Sequence, residues 1–80
     1  MLKKSKENAL TFLKLILEAR KKSGFTQEKL AAKLKKNQSY ISKYENGDRR
    51  LDVLEFMDAM HALNVDPVEI ISDLEKSWKK

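Results

Sequence analysis

The sequence has no cysteine, one proline, two glycines and one histidine among its 80 residues. Each shortage excludes something. Without cysteine there is no disulfide framework, no thiolate metal site and no thiol nucleophile. A lone histidine, His61, does not build a zinc site, and the serines have no base with an oriented third group beside them for nucleophilic work. No catalytic residue, metal or cofactor is therefore expected, and the chain does not read as an enzyme. No apolar run approaches the roughly 20 residues that cross a bilayer, so no membrane partner is expected. Lys3, Lys4 and Lys6 precede a segment broken by Lys14 and Glu18, with no small-residue cleavage site after it. A secretory leader is not expected, and the setting is read as cytoplasmic. Hydrophobic residues make up 41% of the chain, enough for one small domain with a modest core.

What is abundant is charge, and it is unevenly spread. Residues 1–50 carry 14 basic and 5 acidic side chains. Residues 51–75 carry no basic side chain and 7 acidic ones, and Lys76, Lys79 and Lys80 then restore the net charge of +5. A molecule so divided presents its first half to a polyanion and turns its second half away.

Few breakers and helical apolar spacing predict an all-α domain. The first helix is expected from about Lys6 to Ser23, with Phe12, Ile16 and Arg20 on one face, Ala9 and Leu13 beside them, and Gly24 ending it. Thr26 is the expected cap of a second helix, with Phe25 and Leu30 as its hydrophobic staple. Asn37 caps a third that ends near Asn46, with Gly47 beyond. Asp52 and Glu55 read as a capping box for a fourth, with Val53, Phe56, Met57, Met60 and Leu63 as its core. Asp66, Pro67 and Glu69 supply cap, first-turn proline and capping glutamate for a fifth. The domain is expected to span residues 1–80, with a core of about 9–75 and a basic tail at 76–80. Trp78 in that tail is expected to fold onto the fifth helix.

Residues 27–46, QEKLAAKLKKNQSYISKYEN, are the most informative stretch. Counting Gln27 as position one, Leu30, Leu34, Ile41 and Tyr44 fall at four, eight, fifteen and eighteen, and the small Ala31 lies at five. Two short helices crossing steeply in a helix-turn-helix need apolar contacts at such offsets and a small residue where the backbones meet. At about 100° per residue, Gln38, Ser42, Asn46, Ser39 and Lys43 occupy one arc of the third helix, and Tyr40, Tyr44 and Ile41 the opposite one. One face is short, polar and rich in hydrogen-bonding groups; the other is apolar. Glutamine matches adenine N6 and N7, and serine either donates or accepts, so the polar face suits base edges.

The segments FTQEKLAAKL, NQSYISKYENGDRRLDVLEF and ALNVDP resemble the Cro and phage-repressor type of helix-turn-helix domain, the Xre family. The resemblance spans roughly Ile16 to Leu74. It implies a five-helix, lambda-repressor-like fold with the helix-turn-helix at helices 2 and 3. It also implies a bacterial or phage, dimeric regulator that binds double-stranded DNA, as a nucleoid-associated protein does.

Carried over position by position, the resemblance places Gln38, Ser39, Ser42 and Lys43 at base edges in the major groove. Thr26, Gln27, Asn37 and Asn46 match backbone contacts. Arg20 and Glu45 match a largely buried ion pair joining the first helix to the third. Arg49 and Arg50 suit phosphates or the minor groove, and equally suit pairing with Asp48, Asp52 or Glu55. The family usually has glycine where this chain has Lys35, because the residue often takes positive φ, and an apolar residue where it has Lys36. Val65, Pro67, Val68 and Ile71 are the expected dimer interface, and repression by occupancy is the expected mode of action. An alternative is an antitoxin or adaptor whose protein partner binds the first helix at Leu10, Leu15 and Leu17.

Overall fold

A computed structural model describes residues 3–80. Among the described residues there are five α-helices and no strands: α1 (Lys3–Lys22), α2 (Gln27–Leu34), α3 (Gln38–Glu45), α4 (Val53–Leu63) and α5 (Pro67–Lys76). α1 begins earlier than the spacing predicts. Lys3, Lys4 and Ser5 include no helix breaker, so the helix reaches Lys3.

The caps follow the sequence closely. Thr26 and Asn37 accept from the backbone N–H of Lys29 and Tyr40 respectively. Asp52 and Glu55 close a reciprocal capping box on α4. Asp66 accepts from Val68 N–H ahead of Pro67; the expected return bond from Glu69 is absent from the cap described there.

The C-terminal ends of α1 to α4 share one device. Gly24, Lys35, Gly47 and Asn64 all take the left-handed conformation, with φ of 77°, 58°, 83° and 59°. After each, the chain donates back into the last turn, as in Phe25 N–H to Arg20 O at 3.2 Å and Asp48 N–H to Lys43 O at 2.8 Å. These bonds satisfy carbonyls that the helix itself leaves open. Two of the four positions are not glycine.

The main helix contacts form a closed ring. α2 packs on α3 and α4, α4 on α5, α5 on α1, and α1 on α3. Inside it lie Ile16, Leu30, Ile41, Tyr44, Phe56, Met60 and Leu63, with Ala19, Ala31 and Ala59 where helices approach closely. Phe12 half-buries its ring 5.3 Å from that of Phe56. Two expected core residues do not belong to it. Val53 is 71% exposed, beside Leu54 at 73%, because the first turn of α4 turns Phe56 inward, and Ala9 is also exposed.

The tail is fastened by a residue the sequence did not mark. Asn8 is buried, donates to Lys79 O at 3.0 Å and accepts from Lys79 N–H at 2.9 Å. One carboxamide thus meets both backbone groups of a residue 71 positions away. Trp78, 50% exposed, lines a hollow of about 720 Å³ with Phe12 and Leu13 of α1, Leu51 of the α3–α4 loop and Leu74 of α5.

Candidate nucleic-acid interface

The helix-turn-helix rests on a fully apolar contact. Leu30 and Ala31 from α2 meet Ile41 and Tyr44 from α3, all nearly inaccessible, with Leu34 half-buried beside them. The turn between them closes through Lys35 N–H to Ala32 O at 3.2 Å and Lys36 N–H to Ala31 O at 2.9 Å. Lys35 therefore occupies, at φ 58°, the left-handed position usually given to glycine.

With its apolar side held inward, α3 turns the predicted polar face outward. Gln38, Ser39 and Lys43 are exposed and Ser42 is half-buried. The two serine hydroxyls are oriented locally. Ser39 Oγ donates to Asn37 Oδ1 at 2.6 Å, and Ser42 Oγ donates to Ser39 O at 3.3 Å. Each hydroxyl oxygen keeps lone pairs to accept from an incoming donor. Thr26 and Asn46 are exposed at the outer ends of α2 and α3.

Behind this face runs a side-chain relay through three helices. Arg20 Nε donates to Glu45 Oε2 at 2.7 Å and Nη2 to Oε1 at 3.0 Å, with the two side chains only 9% and 4% exposed. The remaining Nη1 donates to Phe25 O at 2.8 Å. Gln27 Nε2 also donates to Glu45 Oε1, at 2.8 Å, and Gln27 Oε1 accepts from Gln38 Nε2 at 3.3 Å. Gln27 is thus half-buried and turned inward, linking the buried ion pair to the first residue of the recognition helix. Its expected place was at the DNA backbone; sequence spacing did not foresee the relay.

A second cluster fixes the loop after α3. Arg49 Nη2 donates to Glu55 Oε2 at 2.6 Å and Nη1 to Oε1 at 3.2 Å, while Nη1 also donates to Arg50 O at 3.1 Å. The Arg49 guanidinium lies 4.8 Å from the centre of the Tyr40 ring, and Lys36 Nζ lies 5.3 Å from it. Such cation–ring contacts are attractive and order the two cations. The hydrogen bonds from Arg49 and from Asp52 N–H hold the Glu55 carboxyl down at about 2. Burial raises the Tyr40 phenol and, more strongly, that of Tyr44. Of the two arginines whose pairing was open, Arg49 is engaged with a carboxylate. Arg50 is exposed, and among the described residues no carboxylate forms a salt bridge with it.

Lys35, Lys36, Lys43 and Arg49 border an open hollow of about 460 Å³, with Asn37 and Ser39 at its edge. It lies beside the exposed face of α3. Short polar side chains flanked by cations are the composition that reads base edges while gripping phosphates.

Away from this face, Val68 and Ile71 are 70% and 47% exposed on α5. Val65 packs against the core and Pro67 is half-buried. On α1, Leu10 is exposed, Leu15 packs against the core and Leu17 is half-buried.

A two-helix unit locked by an apolar contact, with a polar outward face on its second helix and cations beside it, defines a helix-turn-helix DNA-binding domain. The helix-turn-helix family pattern matches residues 16–70. The chain belongs to that family, in its Xre branch, and is accordingly a DNA-binding transcription regulator and not an enzyme. It is similar to the solved structure of an XRE-family like protein from Pseudomonas syringae pv. tomato str. DC3000. Identity is 44%, the TM-score is 0.88, and the match covers 94% of this chain and 92% of that one. No curated protein matches the chain. No described helix is long and apolar enough to cross a membrane.

Proposed function

We propose that this regulator is a repressor that binds a near-palindromic operator as a homodimer in the cytoplasm, at the nucleoid, and acts by occupying it. The observation that carries the reading is the polar arc of Gln38, Ser39 and Lys43, all exposed, with the half-buried Ser42 among them and the relay behind it bonded to Gln38. In this reading those four side chains meet base edges. Thr26, Asn37, Asn46 and Arg50 meet the backbone with their side chains, Gln27 does so through its backbone N–H at the start of α2, and Arg49 does so only by exchanging its carboxylate partner for phosphate. The single domain over residues 1–80 is the reading unit, and two recognition helices enter successive major grooves about 34 Å apart.

The dimer seam is proposed around α5. Val68 and Ile71, exposed as they are, support it; Val65 is packed against the core and Pro67 is half-buried. A protein partner on α1 is the weaker alternative. Leu15 and Leu17 are taken up by the protein's own fold to differing degrees, which leaves Leu10 alone to support it.

Selection from a random duplex library, run beside a Gln38→Ala, Lys43→Ala double variant, tests the proposal. A two-fold symmetric motif that the variant loses is the expected result. Weak, unsymmetric binding that the variant retains overturns it.

A further inference from the structure

Arg49 sits on the edge of the basic hollow, yet both of its bonds to a side chain go to Glu55. Glu55 in turn is locked in place. Its Oε1 accepts from Asp52 N–H at 3.0 Å, its own N–H donates to Asp52 Oδ1 at 2.8 Å, and its carboxylate receives Arg49 in a two-point contact. A carboxylate needed only for the capping box has no use for an arginine, and glutamine closes such a box as well. The charge on Glu55 therefore has a separate effect: of the two cations over the Tyr40 ring, it cancels the nearer one, Arg49 at 4.8 Å. The neighbouring cations differ. Lys35, Lys36 and Lys43 line the same hollow, and among the described residues none of them forms a salt bridge.

We propose that Glu55 is an internal competitor of the DNA phosphate, occupying Arg49 in the free protein and so holding down the sequence-independent part of DNA binding. The proposal rests on the DNA-binding reading above and deepens it. The exchange needs no refolding: the guanidinium stays against Tyr40, and its fork, matched to a planar two-oxygen acceptor, turns from a carboxylate to a phosphate. Because a phosphate contact carries no sequence information, releasing Arg49 strengthens binding to any duplex.

The test uses the full chain and a fluorescent 30-base-pair duplex of random sequence, with anisotropy titrations across a salt series. Glu55→Gln keeps the capping acceptor and removes the charge; thermal melting checks that the fold persists. Each phosphate engaged steepens the dependence of log affinity on log salt by about 0.9, which at 0.1 M salt is about eightfold. Glu55→Gln is therefore expected to bind about 3- to 8-fold more tightly, with a slope steeper by nearly one contact. The Arg49→Gln, Glu55→Gln double variant is expected to abolish that gain. Asp48→Asn, in the neighbouring α3–α4 loop, changes the net charge equally and should gain distinctly less. Equal gains from Asp48→Asn and Glu55→Gln, or a gain that survives loss of Arg49, reduce the effect to net charge and overturn the proposal. Weaker binding by Glu55→Gln overturns it too, since Glu55 would then be presenting Arg49 to DNA. The wild-type titration separates the two levels: without salt-dependent duplex binding, the DNA-binding reading itself falls.

Discussion

Glu45 receives three N–H donors, two from Arg20 and one from Gln27, in a setting where its side chain is 4% exposed. Such a pair is satisfied only as a whole, because removing one charge leaves the other buried without compensation. Glu45→Gln is expected to destabilise the domain by about 3–5 kcal/mol. Replacing both partners, as in Arg20→Met, Glu45→Leu, should cost less than either single change; urea unfolding of the set checks this. Next to it, burial raises the Tyr44 phenol far above its ordinary value of 10.0. A group whose folded value is raised stabilises the fold below its unfolded value and loses that contribution as the pH climbs past it. Tyrosinate absorbance of Tyr44 should therefore appear only with alkaline unfolding and not as a separate step near pH 10, its ordinary value. At this scale the sequence was partly legible. The Arg20–Glu45 pair came from the family resemblance and matches the geometry, whereas Asn8 gave no signal, because its partner is the backbone of Lys79 at the far end of the chain.

At the scale of elements, helix starts were far easier to read than helix ends. A cap side chain bonds within three residues, so Thr26, Asn37, Asp52 and Asp66 announce themselves locally. Ends are announced by glycine, and this chain has only two for four left-handed positions. Asn64 and Lys35 take the others, and nothing local marks a lysine for that conformation. Holding a non-glycine residue there costs on the order of 1 kcal/mol. Lys35→Gly is expected to stabilise the domain by about 0.5–1 kcal/mol in thermal or denaturant unfolding, since glycine relieves the strain but adds freedom to the unfolded chain. The same variant removes a cation from the edge of the hollow beside α3. Its affinity for random duplex is expected to fall while its melting temperature rises. A lysine in this place trades stability for charge, which accounts for a turn that departs from the family's usual glycine.

For the molecule as a whole, the split of charge along the sequence becomes a split in space only in part. Lys35, Lys36 and Lys43 gather beside α3, while Glu55, from the acidic half, reaches back to neutralise Arg49. Linear counting assigned Arg49 to the basic half and left its pairing open, because pairing across the α3–α4 loop depends on where the capping box places Glu55. The proposed dimer belongs to this scale as well. Val68 makes so little contact with its own chain, being 70% exposed, that Val68→Asp should leave the monomer's stability within about 0.5 kcal/mol of the wild type. A charge at a two-fold seam meets its own copy across the axis, so one substitution places two like charges in an apolar contact. Sedimentation of Val68→Asp should then show a monomer at concentrations where the wild type associates. Its affinity for a two-half-site operator should drop, while its affinity for a single half-site stays unchanged. Equal loss on both duplexes would locate Val68 in DNA contact or in folding, and unchanged binding on both would move the seam away from α5.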